Sequence, residues 1–232
     1  MILVGTSGFA YKEWKGSFYP DKIANTDMLA FYARHFSTVE INNTFYRMPK
    51  AELLAGWKEQ VPPSFRFVLK APQRITHIKR LKDVEGDVAH FTDVALSLGE
   101  QLGALLFQLP PNFKVDLPRL QALLTTVGRR ARVALEFRNP TWLTTEVYAA
   151  LRAHDAALCI ADTDDNQTPF EVTASFGYAR LRGTSYSPDD IGAWAKKLRS
   201  APWQDALVFF KHEDEGTGPL FGRILQERLA AG

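Results

Sequence analysis

Eight short, apolar, β-rich runs separated by stretches of helical spacing constrain this chain more than any other feature. They cover residues 2–6, 38–42, 66–70, 104–108, 132–137, 157–161, 177–182 and 206–211. Their near-continuous apolar character is what strands covered on both faces require. Helical patterns lie between most of them. Asn25-Thr26-Asp27 offers cap candidates for a helix over 28–35, and Pro49 precedes one over 51–60. Residues 83–102 and 117–127 keep helical spacing, and Thr144-Thr145 lead into 146–153. Ser187-Pro188-Asp189-Asp190 reads as an N-cap, a proline at the first helical position and acids at the positive dipole end. A last helix is expected over 219–230. Residues 162–176 are poor helix, so one helix is expected to be short or missing there.

Strict alternation of strand and helix implies a parallel sheet, and eight such units close naturally into a barrel. The fold class is therefore α/β, a single (β/α)8 TIM-type barrel domain spanning 1–232. An open doubly wound sheet is the rival, and it usually carries a glycine-rich phosphate turn after its first strand. Here that turn is Gly5-Thr6-Ser7-Gly8-Phe9-Ala10, without GxGxxG spacing, and no P-loop occurs anywhere. With 232 residues, 46% of them hydrophobic and 23% charged, one domain with a sizeable core is the simplest reading.

The net charge of +2 falls well short of a dedicated nucleic-acid binder. Cys159 is the only cysteine, which excludes a disulfide framework and a thiolate zinc cluster within one chain. Met1 is followed at once by Ile2-Leu3-Val4 with no basic segment before it, so no signal peptide is expected. No apolar run reaches the length of a membrane span. A cytoplasmic location without a membrane partner is the expectation.

In a parallel barrel the strand C-termini and the loops after them build the active site. Those positions hold Ser7, Glu40, Asn42, Tyr46, Lys70, Gln108, Glu136, Arg138, Asp162, Arg180, Arg182 and Lys211, followed by His212. Because strands alternate faces, Glu40 shares a face with Asn42, Glu136 with Arg138, and Arg180 with Arg182. Each pair brackets an apolar residue, which fits a polar face in the barrel mouth and an apolar face under helices. Charged side chains are rarely buried unpaired, so these groups either form an ion-pair lattice or await a ligand.

The same residues resemble a known family. Gly5-Thr6-Ser7-Gly8-Phe9 followed by Tyr11, Trp14, Gly16 and Phe18-Tyr19-Pro20 is its opening signature. Thr38-Val39-Glu40-Ile41-Asn42-Asn43-Thr44-Phe45-Tyr46-Arg47 is a second, and Phe67-Val68-Leu69-Lys70 with Ile75-Thr76-His77 a third. Leu105-Leu106-Phe107-Gln108-Leu109-Pro110-Pro111 and Ala134-Leu135-Glu136-Phe137-Arg138-Asn139 complete it. In order along nearly the whole chain, these resemble the YecE-like family, domain of unknown function seventy-two. The resemblance implies a TIM-type barrel and no settled activity. The chain departs from the family pattern twice. The seventh-strand motif, usually Arg-Leu-His-Gly, here reads Arg180-Leu181-Arg182-Gly183, and the usual Phe-Asn-Asn of the eighth is Phe210-Lys211-His212. Both departures add donors or positive charge at the mouth.

Three chemistries compete. A metal-dependent phosphoesterase or sugar isomerase of the endonuclease-like barrel type needs histidines and carboxylates at strand ends. His35, His90 and His154 fall in helical stretches, leaving only His77 and His212 near the mouth. Glu40, Glu136 and Asp162 are the oxygen ligands on offer for Mg²⁺ or Mn²⁺, but Lys70, Arg138, Arg182 and Lys211 crowd the same rim. No metal and no cofactor are therefore expected. Glycoside hydrolysis needs two carboxylates flanking one bond, for which Glu40 and Glu136 are the candidates, with Trp14, Tyr46 and Trp142 to stack on a sugar or base. Anion binding fits best. Arginine offers a planar fork for phosphate or carboxylate, and the Gly5–Gly8 turn offers backbone donors.

The expected function is binding or turnover of a small phosphorylated or otherwise anionic ligand at the C-terminal face. Glu136 and Glu40 are its acid/base candidates. Asn42, Tyr46, Lys70, His77, Gln108, Arg138, Asp162, Arg180, Arg182 and Lys211 are its binding candidates. Nucleic acid is the alternative partner, suggested by the basic run His77, Lys79, Arg80 and Lys82, which lacks interleaved aromatics.

Overall fold

The computed structural model describes residues 1–164 and 167–231. Every one of the eight apolar runs is a strand. They are β1 (Ile2–Thr6), β2 (Thr38–Ile41), β3 (Arg66–Lys70), β4 (Leu102–Leu109), β5 (Val133–Phe137), β6 (Ala157–Asp162), β7 (Phe176–Leu181) and β8 (Asp205–Phe210). Neighbouring strands pair in parallel in the order β1-β8-β7-β6-β5-β4-β3-β2. The result is a nearly closed barrel with helices between the strands.

The helices follow their sequence signals, the first three shorter than expected and the last starting two residues earlier. They are α1 (Met28–Tyr32), α2 (Ala51–Lys58), α3 (Glu85–Ala95), α4 (Leu117–Val127), α5 (Thr145–Ala153), α6 (Pro188–Ser200) and α7 (Thr217–Ala230). The helix expected over 83–102 is split. After α3 the chain tightens into a 3₁₀ stretch, Leu96–Gln101, because Gly99 adopts φ +59° and leaves the helix. Ser187 caps α6 in a reciprocal box with Asp190, and Pro188 occupies the first position, as its sequence demands. Among the described residues no helix lies between β6 and β7.

Buried apolar side chains fall into two groups. The larger fills the layer between strands and helices, with Val39, Ile41, Phe67, Leu69, Phe107 and Leu135 among its strand members. The smaller lies inside the barrel and is lopsided. Apart from Leu106, its members on β4 to β6 are small, namely Ala104, Ala134, Ala157, Cys159 and Ala161, whereas Phe176, Tyr178 and Phe209 project from β7 and β8. Large rings from one wall therefore occupy the space left by small residues on the other, and β6 contributes no bulky side chain at the mouth.

Closure between β1 and β2 rests on a device that strand pattern does not reveal. Among the described residues a single parallel bridge, Ser7 to Glu40, joins them. Below it the Tyr32 hydroxyl is wedged into the seam, accepting from the Thr6 N–H (2.8 Å) and donating to the Thr38 carbonyl (3.0 Å). Gly5 makes room, since a Cβ there would sit 2.1 Å from the Thr38 oxygen. Tyr32→Phe strands a buried donor and a buried acceptor, each of which costs about 1–3 kcal/mol. A urea titration should show a lower midpoint with an unchanged slope, whereas a wild-type midpoint would mean that the seam closes without the hydroxyl.

Candidate functional site

Period-two alternation carries Ser7, Glu40, Asn42, Lys70, Gln108, Glu136, Arg138, Arg180 and Arg182 to the C-terminal end of the barrel's inner face. Arg180 is the hub. Its side chain is 1% exposed and lies between two carboxylates that are equally buried, Glu40 at 0% and Glu136 at 2%. Nη2 donates to Glu40 Oε1 at 2.8 Å and Nη1 donates to Glu136 Oε2. Glu40 also accepts from Ser7 Oγ (2.7 Å), Asn42 Nδ2 (3.1 Å) and the Tyr178 hydroxyl. The other oxygen of Glu136, Oε1, accepts from Arg138 Nε at 3.0 Å and lies 3.6 Å from Arg182 Nη1. Gln108 sits opposite Glu136 in the β4–β5 register.

These pairings fix the protonation states. Burial raises both carboxyls, but cations and donors outweigh it. Arg180, Arg138 and Arg182 bring Glu136 down from 4.5 to about 2. Arg180, with the Tyr178, Ser7 and Asn42 donors, holds Glu40 below its ordinary value. Both are anions at neutral pH. Lys70 moves the other way for a cation, down to about 8, through burial first and then the field of Arg180, with Glu40 and Glu136 opposing.

Beyond the hub, a cleft of about 410 Å³ opens between β5 and β7. Glu136, Arg138 and Arg182 form its charged wall, with Asn139, Thr163, Gln167 and Thr168 as neutral polar lining and Ala161 below. The small Ala161 on β6 leaves room for this opening, and among the described residues no helix follows β6 to cover it.

Several expectations do not hold. Asp162 points to the outer face of β6, where it binds the Tyr186 hydroxyl (2.8 Å) and Gln167 Nε2 (3.0 Å) in a separate pocket against α6. It is two residues from Ile160, on the same outward-facing row. Arg180 pairs with the two carboxylates and is 1% exposed, so burial keeps its remaining donors from a ligand, including Nε, which has no partner among the described residues. Lys211 reaches the rim but turns to Glu213 at 3.6 Å. His212 also lies on the outward row, packs edge-on against Phe221 and contacts the Gly183 carbonyl through Nε2. Trp14 and Trp142 are buried, with their indole N–H groups on the carbonyls of Glu213 and Phe113, so neither stacks on a ligand. The Gly5–Gly8 turn cradles no anion either. The Thr6, Ser7 and Gly8 amides are taken by Tyr32, Phe210 and Thr6. Tyr46 is exposed at the rim, where it and His77 both lie edge-on to Phe45. Residues that sequence reasoning passed over are Tyr178, Thr163, Gln167 and Thr168. Stepping back two residues from Arg180 identifies Tyr178, whereas no pattern marks the irregular segment.

The family model described as "Protein of unknown function DUF72" matches residues 3–232. The chain belongs to the DUF72 family. It is similar to UPF0759 protein YunF of Bacillus subtilis, with 30% identity over 99% of this chain and 95% of that protein. It is 32% identical to UPF0759 protein YecE of Escherichia coli K12 over 60% of this chain, a match that spans about half (49%) of YecE. Among solved structures, a DUF72 family protein from Thermotoga maritima superposes with TM-score 0.81 at 25% identity, covering 99% of both chains. A DUF72 family protein from Enterococcus faecalis gives 0.77 at 21% identity over 99% and 98% of the two chains and supports the fold. These names specify a family and no reaction, so the chemistry of this DUF72 barrel must come from its site.

Removing the Glu136 charge leaves Arg180, Arg138 and Arg182 short of a counter-charge, so Glu136→Gln should cost about 3–5 kcal/mol at neutral pH. Because the folded carboxyl titrates near 2 rather than 4.5, its contribution is fully present above about pH 4.5 and is lost as pH falls toward 2. Chemical denaturation at a series of pH values should show the wild-type advantage over the variant narrowing across that window. An advantage that stays constant down to pH 2 would refute an ionised Glu136.

Proposed function

We propose that this protein binds a small phosphorylated or otherwise anionic ligand in the cleft between β5 and β7, with Arg138 and Arg182 as the recognising groups. One observation carries the reading. A single oxygen, Glu136 Oε1, serves both guanidiniums, because Arg180 occupies Oε2. One shared oxygen cannot satisfy two planar forks, each of which presents five N–H donors. The remaining donors stand at the wall of a cleft sized for one small metabolite. Lys70 and Arg180 add to a mouth in which cations outnumber the carboxylates Glu40 and Glu136, so the field there favours an anion.

In this reading the two glutamates position rather than transfer protons. A general acid working near neutral pH needs a carboxyl raised toward that pH, and here both are held down by cations. Their oxygens are also engaged, and among the described residues no group of three His, Cys, Asp or Glu side chains is placed to hold a metal ion. Anion recognition therefore fits the donor set better than a metal-dependent phosphoesterase. A polynucleotide has less support. In the basic run, Lys79 is tied to Asp87 at 2.9 Å and to the Asp83 carbonyl at 2.9 Å, so part of its charge is already neutralised. Among the described residues no helix is long and apolar enough to cross a membrane.

Calorimetric titration with inorganic phosphate and with ribose 5-phosphate tests the reading. Wild type should bind at low salt, and Arg138→Gln or Arg182→Gln should each weaken binding about tenfold or more, the loss expected for a charge-assisted contact. Unchanged affinity in both variants, or no binding by wild type, would overturn it.

A further inference from the structure

Lys70 is a charged group of the mouth that the ion-pair lattice leaves out among the described residues. It ends β3 on the inner face, two residues above Val68. Its backbone is fixed by the Thr44 hydroxyl, which donates to its carbonyl at 2.7 Å. Every ion pair of Glu40 and Glu136 goes to an arginine, and among the described residues no carboxylate lies within ion-pair distance of Nζ. Nζ instead stands 4.2 Å from the centre of the Phe45 ring, on the inner wall of an electropositive mouth. Other lysines have different settings. Lys79 is paired with Asp87, Lys211 with Glu213, and Lys197 lies over Trp194 outside the barrel.

A desolvated lysine beside other cations is the setting that frees an amine for nucleophilic attack. We propose that Lys70 captures the carbonyl carbon of an anionic aldehyde or ketone as a Schiff base, so that the ligand class of the mouth is a phosphorylated carbonyl compound. This rests on the anion-binding reading and extends it. Lys70 lies outside the lining of the β5–β7 cleft, so a ligand with its anionic end on Arg138 and Arg182 has to extend across the mouth to place its carbonyl at β3. In the step itself the amine lone pair forms the C–N bond to give a carbinolamine. The nitrogen loses a proton to water, and the hydroxyl takes one from water and leaves as water. Amine and carbonyl thus give imine plus one water, and a solvent proton converts the imine to the iminium. No oxidant or reductant is consumed.

The neighbourhood supports an amine that is free at working pH. Burial lowers Lys70 first and Arg180 next, with Arg138 adding to them against the pull of Glu40 and Glu136, to about 8. A value near 8 rather than near 10.4 leaves on the order of a hundredfold more free amine at neutral pH. Lower basicity takes back part of this, so labelling about tenfold faster than at an ordinary lysine is expected.

The experiment uses the full chain and pyridoxal 5′-phosphate, which joins an aldehyde to a phosphate. Borohydride reduction and peptide mapping then read the rate at each lysine. Lys70 should be labelled about tenfold faster than the other lysines. Inorganic phosphate should suppress the labelling, and pyridoxal without its phosphate should react more slowly there. Arg138→Gln should slow labelling by the phosphorylated probe well beyond the smaller loss that pyridoxal shows, since Arg138 also helps to lower Lys70. Lys70→Arg should lose the adduct while keeping the wild-type melting temperature. Should that variant fail to fold, phosphate competition on wild type decides alone. Equal labelling across the lysines, with phosphate still binding in the titration, would overturn the Schiff base and leave the anion site standing. Fast labelling at Lys70 by both probes alike would overturn the anionic substrate class.

Discussion

One guanidinium held between two buried carboxylates organises the upper half of this barrel. Arg180 joins Glu40 on β2 to Glu136 on β5 across the interior, and the positions of Ser7, Asn42, Tyr178, Arg138 and Arg182 follow from it. Buried ion pairs of this kind are weak evidence of stability, because desolvation offsets most of the Coulombic attraction. A layer of leucine would fill the same space. What the triad provides is geometry and charge state. Two carboxylates are held ionised in a nearly dry interior, and one of them is divided among three arginines, two of which are only partly buried. The excess of cation over anion at the mouth follows directly from that division.

The scaffold delivers this arrangement through two unequal walls. β7 and β8 send large rings into the barrel, while β4 to β6 answer, apart from Leu106, with alanines and Cys159. Over β6 the small residues continue to the rim at Ala161, and among the described residues no helix follows, so the cleft opens on that side. On the opposite side the β1–β2 seam is drawn shut by the Tyr32 hydroxyl and by the absence of a side chain at Gly5. The bridge between Ser7 and Glu40 sits directly above that seam. Closing the barrel and placing the first carboxylate are thus the same local event.

The strands were legible because each is a run of apolar residues bounded by turn residues, a signal that survives without tertiary context. Face assignments within a strand were legible for the same reason, and Glu40, Glu136, Arg138, Arg180 and Arg182 all meet where alternation puts them. Asp162 and His212 were assigned to the mouth by their place at a strand end, without regard to alternation. Both end or follow a strand, but they lie on the row with Ile160 and Phe210, under the helices, rather than with Ala161 and Phe209 inside. Partner choice was not legible at all. Nothing in the order of residues says that Arg180 is consumed internally while Arg138 and Arg182 are not, since that depends on distances across the barrel. Trp14 and Trp142 illustrate the same limit, because aromatic rim residues and buried indoles have the same composition in sequence.

Arg180 is paired internally, and Arg138 and Arg182 are the proposed anion clamp. A crystal grown with selenate in place of phosphate measures this directly through the selenium anomalous signal. The account predicts the strongest peak in the cleft, within hydrogen-bond reach of both guanidiniums, with Arg180 still on Glu40 and Glu136. Peaks confined to the outer surface, with Arg138 and Arg182 folded onto Glu136 alone, would contradict it.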